Sequence, residues 1–272
     1  ITIQQTYAII AVTSAIAMAV QMLQLRLHVP SETPPLHSIA HQARHHLSLG
    51  QWLLLGGGVN LLTVYSIPWV INYSHGAAAV TLYSAVLYVL NVSNPLLAAV
   101  ANLITPVVAN AKAKAEAIGQ SGLKIAGKAA IKYAAQGALL LLPAFGFLIV
   151  FPGVTLRIFY GRSSPYLSLT APMRVFTIAY ILMYASAMIN SYLCGLGRSR
   201  LVFIAQSANA VVTCLITIPL VARFGLIGAA WGSIFPVAAQ ASLAIWFVRQ
   251  ALGKIQSEDP AAQSSFPPRS VI

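Results

Sequence analysis

The side chains able to do chemistry in this sequence are uncharged amides, phenols and indoles set at helical spacings within long apolar runs. Asn60, Tyr65 and Trp69 recur five and four residues apart. In the next run Tyr83, Tyr88, Asn91, Asn94 and Asn102 form a polar stripe, with Asn91 and Asn94 on adjacent turns. Tyr180, Tyr184 and Asn190 follow, then Gln206 and Asn209. An amide turned toward hydrocarbon is costly, so these residues must face a neighbouring helix or a watery cavity. Two readings stand side by side. In one, each polar group hydrogen-bonds between helices. In the other, the amides bind sugar hydroxyls in a cavity while the aromatic rings stack on sugar faces. The second reading makes Asn60, Tyr65, Trp69, Tyr83, Asn91 and Asn94 the candidate cavity lining.

Arg174 is a cation inside an apolar run. It either snorkels to the nearer interface or meets a lipid pyrophosphate, whose oxygens suit the planar guanidinium fork. Arg157 and Arg162 are weaker candidates for the same role, and Lys132 reads as an interface anchor. All four acidic residues, Glu32, Glu116, Glu258 and Asp259, fall outside the apolar runs. No carboxylate is therefore placed to carry a proton or sodium ion through a membrane. A carboxylate pair for glycosyl chemistry and a Ser/His/Asp triad are equally out of reach, so the chain is not expected to be an enzyme. Neither a cofactor nor a metal is expected. His28, His37, His41, His45 and His46 crowd one linker, and His41, His45 and His46 could share a helical face, but Glu32 is the one acidic companion there and no cysteine joins them, so a mobile cytoplasmic linker is the default reading. Gly56-Gly57-Gly58 lies in mid-run, where small residues permit close helix packing, and is not a phosphate loop. Gly195-Leu-Gly197 lacks the strand-then-helix context of a dinucleotide site.

The elements that must position these groups follow from composition. Of 272 residues, 58% are apolar and 7% charged, with a mean hydropathy of +0.78; soluble domains carry about 25% charged residues. Hydrocarbon is the solvent this implies, and long apolar runs select helices over a barrel. About seven spans are predicted, near 3–25, 50–72, 78–108, 129–152, 169–192, 201–222 and 226–248. Residues 78–108 would reach roughly 46 Å against a core of about 30 Å, so either Pro95 and Pro106 offer places to kink that run or its last turns project beyond the membrane. Pro68, Pro143, Pro219 and Pro236 interrupt four others.

The net charge of +12 does not form the aromatic-laced patch of a nucleic-acid interface. Its cations gather in alternate loops: Arg26 and Arg44; Lys112, Lys114, Lys124, Lys128 and Lys132; Arg198 and Arg200; Arg249, Lys254 and Arg269. Only Arg157, Arg162, Arg174 and Arg223 fall on the other side. The positive-inside rule makes the first set cytoplasmic, together with the C-terminus. Ile1 then starts at the outer face within a hydrophobic run, which points to an N-terminal truncation. Cys194 and Cys214 fall at different depths and do not read as a disulfide.

Several stretches resemble the Wzx-type polysaccharide (O-antigen) flippases of the MATE-like multidrug/oligosaccharidyl-lipid/polysaccharide exporter superfamily. Gly50-Gln51-Trp52-Leu53-Leu54-Leu55 resembles the start of that family's seventh helix, and Asn91-Val-Ser-Asn94-Pro95 with Pro106 its eighth. Leu156-Arg-Ile-Phe159-Tyr160-Gly161 resembles the outer loop after the ninth. Leu193-Cys-Gly-Leu196-Gly197-Arg198-Ser-Arg200 and Arg223-Phe-Gly225-Leu-Ile-Gly228 resemble the turns around the eleventh. The resemblance implies a two-lobed helix bundle, with residues 1–25 the last helix of an N-lobe, 26–49 an interlobe linker, 50–248 a six-helix C-lobe and 249–272 a disordered cytoplasmic tail. It implies alternating access and a polyprenyl-pyrophosphate-linked oligosaccharide moved across a bacterial inner membrane. Membrane lipids and polysaccharide-assembly proteins are the implied partners. A multidrug antiporter of the same superfamily and a membrane-embedded assembly enzyme or scaffold are the alternatives.

Overall fold

The computed structural model describes residues 3–26, 36–118 and 122–262. Among them there is no strand, and the chain is an all-α, multi-pass membrane protein. In order the helices are α1 Ile3–Arg26, α2 Leu36–His75, α3 Ala77–Asn91, α4 Asn94–Ala117, α5 Gly122–Val150, α6 Pro152–Tyr160, α7 Thr170–Gly195, α8 Ser199–Val212, α9 Ile218–Gly232 and α10 Ile234–Ala262. A 3-10 turn at Pro165–Leu169 precedes α7, and a π-helical turn at Thr213–Thr217 joins α8 to α9. Two compact units are present, residues 1–46 and 47–272. The first holds α1, apolar over Ala11–Leu23. Part of the expected linker, from Leu36 onward, is helical; Pro34 and Pro35 immediately precede it, where a missing N–H costs a helix nothing.

In the second unit five stretches are long and apolar enough to cross a membrane: Gly50–His75, Asn94–Ala117, Gly122–Val150, Pro165–Gly195 and Ser199–Gln250. The last, at 52 residues, holds two crossings. Gly225 adopts φ 56° and ψ −128°, a conformation open to residues without a Cβ, and the chain reverses there. Thr217 Oγ1 donates to the Gly232 carbonyl at 2.7 Å and Asn209 Nδ2 to Gln240 Oε1 at 2.9 Å, two pairs centred on the same hairpin. The long third run resolves into α3 and α4. Its bend falls at Val92–Ser93, both still in the right-handed helical region, because Pro95 cannot donate to the Asn91 carbonyl.

Alternate connections lie at opposite ends of the bundle. A Cβ at Gly225 would come within 3.1 Å of the His75 ring, so the α9 hairpin and the end of α2 share one end. At the other, the Arg200 guanidinium sits 5.6 Å from the centroid of Trp52, and Tyr192 Oη donates to the Leu123 carbonyl at 3.3 Å. That second end carries Lys112, Lys114, Lys124, Lys128, Arg198, Arg200 and Arg249.

Helix α7 is the hub, packing on α3, α4, α5, α9 and α10. Leu97, Ile104 and Val108 of α4 meet Ala126, Leu141 and Phe145 of α5 and Tyr184, Met188 and Tyr192 of α7 in one core. A second core joins Val86 and Leu90 to Met173, Phe176, Val221 and Ala229. Large apolar side chains on the outside, such as Leu54, Leu62, Leu139 and Leu215, are exposed, as a lipid-facing surface requires. Tyr184 Oη donates to the Ala134 carbonyl of α5, where Gly137 leaves the space a Cβ would fill. Tyr184 is therefore interhelical glue. Of Gly56, Gly57 and Gly58, the first alone faces a neighbour, Gln206, since one helical position in about 3.6 points at any given partner. Beyond the spans, Tyr160 Oη donates to the Ala85 carbonyl at 2.7 Å. Burial, then Tyr166 and Tyr88, pushes that hydroxyl above its ordinary pKa, so it remains a donor.

A Cβ at Gly228 would overlap the Leu220 carbonyl oxygen, a backbone atom unable to swing aside, whereas none within 4 Å awaits one at Gly57. Gly228→Ala should lower the unfolding midpoint in detergent by about 3–10 °C, as overpacking does, while Gly57→Ala leaves it unchanged. Equal midpoints for the two variants would contradict the close crossing at the hairpin.

Candidate functional site

A cavity of about 220 Å³ lies within the bundle, walled by α2, α7, α8, the π-helical turn and the start of α10. Its polar groups come as short helical stripes. Ser186 and Asn190 are one turn apart on α7; Asn209, Thr213 and Thr217 succeed one another at four-residue steps; Ser233 and Gln240 enter from the far arm of the hairpin. Asn60, exposed, stands at the edge with Thr63 beside it. No charged side chain lines the cavity.

Prolines shape its wall. Pro236 has no N–H to offer the Gly232 carbonyl, and the Thr217 hydroxyl supplies the donor instead, a substitution that lets proline sit inside a spanning helix. At Pro219 the preceding turn opens to π geometry, with the Ile218 N–H bonding back to the Thr213 carbonyl. Single π turns of this kind often mark functional sites. Within the cavity Asn209 Nδ2 donates to Gln240 Oε1, and Thr213 Oγ1 reaches Asn209 Oδ1 at 3.5 Å. Ser186 Oγ and Asn190 Oδ1 are buried with no protein partner. An unpaired buried oxygen is expensive to keep, and both residues belong to the cavity wall.

The residues expected from sequence to share one site separate across the fold. Asn60 joins this cavity. Tyr65 and Trp69, 62% and 78% exposed, are turned about 140° and 180° from it at about 100° per residue. They continue to Tyr73 as an aromatic stripe on the outer face of α2, also exposed. Asn91 and Asn94 flank the bend between α3 and α4, and Tyr83 lies about 12 Å back along α3. At the bend Asn91 Oδ1 accepts from Tyr180 Oη at 2.6 Å and from Asn94 Nδ2 at 3.1 Å, while Tyr83 is buried edge-on against Phe176 at 5.8 Å. Arg174 is elsewhere again, about 18 Å along α7 from Ser186. Its Nε donates to the Ile149 carbonyl at 3.0 Å, capping an oxygen that the last turn of α5 leaves without a helical donor.

Ser186, Thr213, Thr217, Ser233 and Gln240 were not singled out by sequence. The steps of four from Ser186 to Asn190 and from Asn209 to Thr217 carried the signal, but threonine and serine also bond their own helix backbone and so read as neutral. Among the described residues no three His, Cys, Asp or Glu converge as metal ligands; His28 and the side chains of His37, His41, His45 and His46 lie outside the described residues. No family model, curated protein or solved structure matches the chain.

The two kinds of polar group should respond oppositely to truncation. Ser186→Ala removes an unpartnered oxygen and should leave the unfolding midpoint unchanged or raised. Gln240→Leu strands the Asn209 amide and should lower it by about 2–5 °C. A large loss of stability in Ser186→Ala would show that this hydroxyl is structural.

Proposed function

We propose that this protein moves a lipid-linked oligosaccharide across a bacterial inner membrane by alternating access, and that it works as a transporter and not as an enzyme. The observation that carries this reading is the uncharged polar cavity, with two buried oxygens that no protein donor satisfies. Amides and hydroxyls exchange hydrogen bonds with sugar hydroxyls without the cost of burying a charge. Tyr65 and Trp69, turned away on the outer face of α2, take no part in this cavity. The resemblance to Wzx-type flippases points to the same function. In this reading the basic end of the bundle and the C-terminus are cytoplasmic. Arg174, at the opposite end, presents the rest of its guanidinium to the pyrophosphate of the carrier lipid. Proteins of polysaccharide assembly are its natural partners. A drug antiporter fits less well, because the cavity offers no carboxylate to couple cation entry to export.

The test is surface polysaccharide in cells that depend on the intact gene. Asn190→Leu combined with Asn209→Leu, at wild-type protein level, should cut surface glycan at least about fivefold, the worth of one net hydrogen bond, and leave lipid-linked precursor on the cytoplasmic side. Arg174→Ala should also lower export. Undiminished export by the double variant would sink the cavity assignment, and undiminished export by Arg174→Ala would remove the phosphate role.

A further inference from the structure

At the basic end a second space, a groove of about 590 Å³, runs between α5, α7 and α10. Its size is within the roughly 300–1,000 Å³ of small-molecule sites. Its trough is apolar: Ile131 and Ala134 from α5, Met188 and Ile189 from α7, and Ile245 and Val248 from α10. Ile131 is 71% exposed, so the trough is open along its flank to whatever surrounds the bundle, which is lipid. At one end stand three cations, Lys124 and Lys128 from α5 and Arg249 from α10. The two lysines are four residues apart and so share a helix face. Gly127 lies between them, and Tyr192 closes the junction by bonding the Leu123 carbonyl.

This arrangement is unbalanced in two ways. Like charges one turn apart repel each other, yet no carboxylate lines the groove. The one ion pair among the described residues, Lys112 with Glu116 at 3.9 Å, lies on α4. In addition, α5 and α10 each pack extensively on α7 and at most weakly on each other, so the apolar walls face a gap. A soluble anion would answer the first imbalance and leave the trough empty. A neutral lipid would fill the trough and leave the cations unpaired. A molecule with an anionic head and a hydrocarbon tail answers both, and basic pockets between spanning helices recognise lipid phosphates in this way.

We propose that the groove is a binding site for an anionic glycerophospholipid of the leaflet at the basic end, its phosphate held among Lys124, Lys128 and Arg249 and one acyl chain lying along Ile131, Ala134 and Ile245. The bound lipid wedges α10 against α5 and stabilises the bundle by mass action. The site is independent of the transport reading above.

Native mass spectrometry of the full chain in detergent, titrated with phosphatidylglycerol and with phosphatidylcholine of the same acyl chains, tests this. Phosphatidylglycerol should be retained preferentially and should raise the unfolding midpoint. Lys124→Ala with Lys128→Ala should weaken its retention at least about tenfold, while Lys112→Ala with Lys114→Ala, outside the groove, leaves it intact. Ile131→Trp, which keeps the cations and fills the trough, should weaken retention of both lipids. Equal retention of the two lipids, or an unchanged preference in the groove variant, would overturn the site. Displacement of phosphatidylglycerol by equimolar polyprenyl phosphate would overturn its occupant, assigning the groove to the carrier lipid.

Discussion

Hydrocarbon offers no hydrogen bonds, so every backbone carbonyl freed inside the spans must find a donor within the protein. Much of the local architecture is the set of answers to that demand. Pro236 frees the Gly232 carbonyl, and Thr217 reaches across the hairpin to bond it; the same contact holds the two arms of the hairpin together. Pro95 frees the Asn91 carbonyl, and the chain bends at Val92–Ser93. The last turn of α5 leaves the Ile149 carbonyl without a partner, and Arg174 caps it. Pro236 is thus tied to a polar side chain on the facing arm, and Arg174 ties α7 to the end of α5.

The same rule makes the exceptions informative. Tyr184 and Tyr192 spend their hydroxyls on carbonyls of α5, and Asn91, Asn94 and Tyr180 satisfy one another. Ser186 Oγ and Asn190 Oδ1 do neither. Stability is given up where those oxygens sit, and a cavity is what the fold holds there. Natural proteins tolerate such local conflict mainly where function needs it.

Helix α7 and helix α2 stand at opposite extremes of packing. α7 touches most of the bundle, and much of its length is buried, whereas α2 shows most of its span to the outside. The cavity lies between them. A wall that packs loosely beside a rigid hub is the arrangement in which an opening can change size without disturbing the core.

The fold class was legible in composition alone, because 7% charged residues cannot coat a protein in water. A kink at Pro95 was among the options legible for the third run, although Pro106, an equal candidate, lies inside α4; the two arms flanking Arg223–Gly228 were legible as well, since backbone limits are local and travel with the residue. Seeing that α2, α7, α8 and α10 share one cavity needed the tertiary structure. Asn60 and Trp69 look alike as polar or aromatic marks on one run, yet about 180° of helix rotation separates them. Which face meets a neighbour is settled by packing between segments distant in sequence: Asn209 meets Gln240 only because Gly225 turns the chain back, and Arg174 meets Ile149 only because α7 crosses the end of α5.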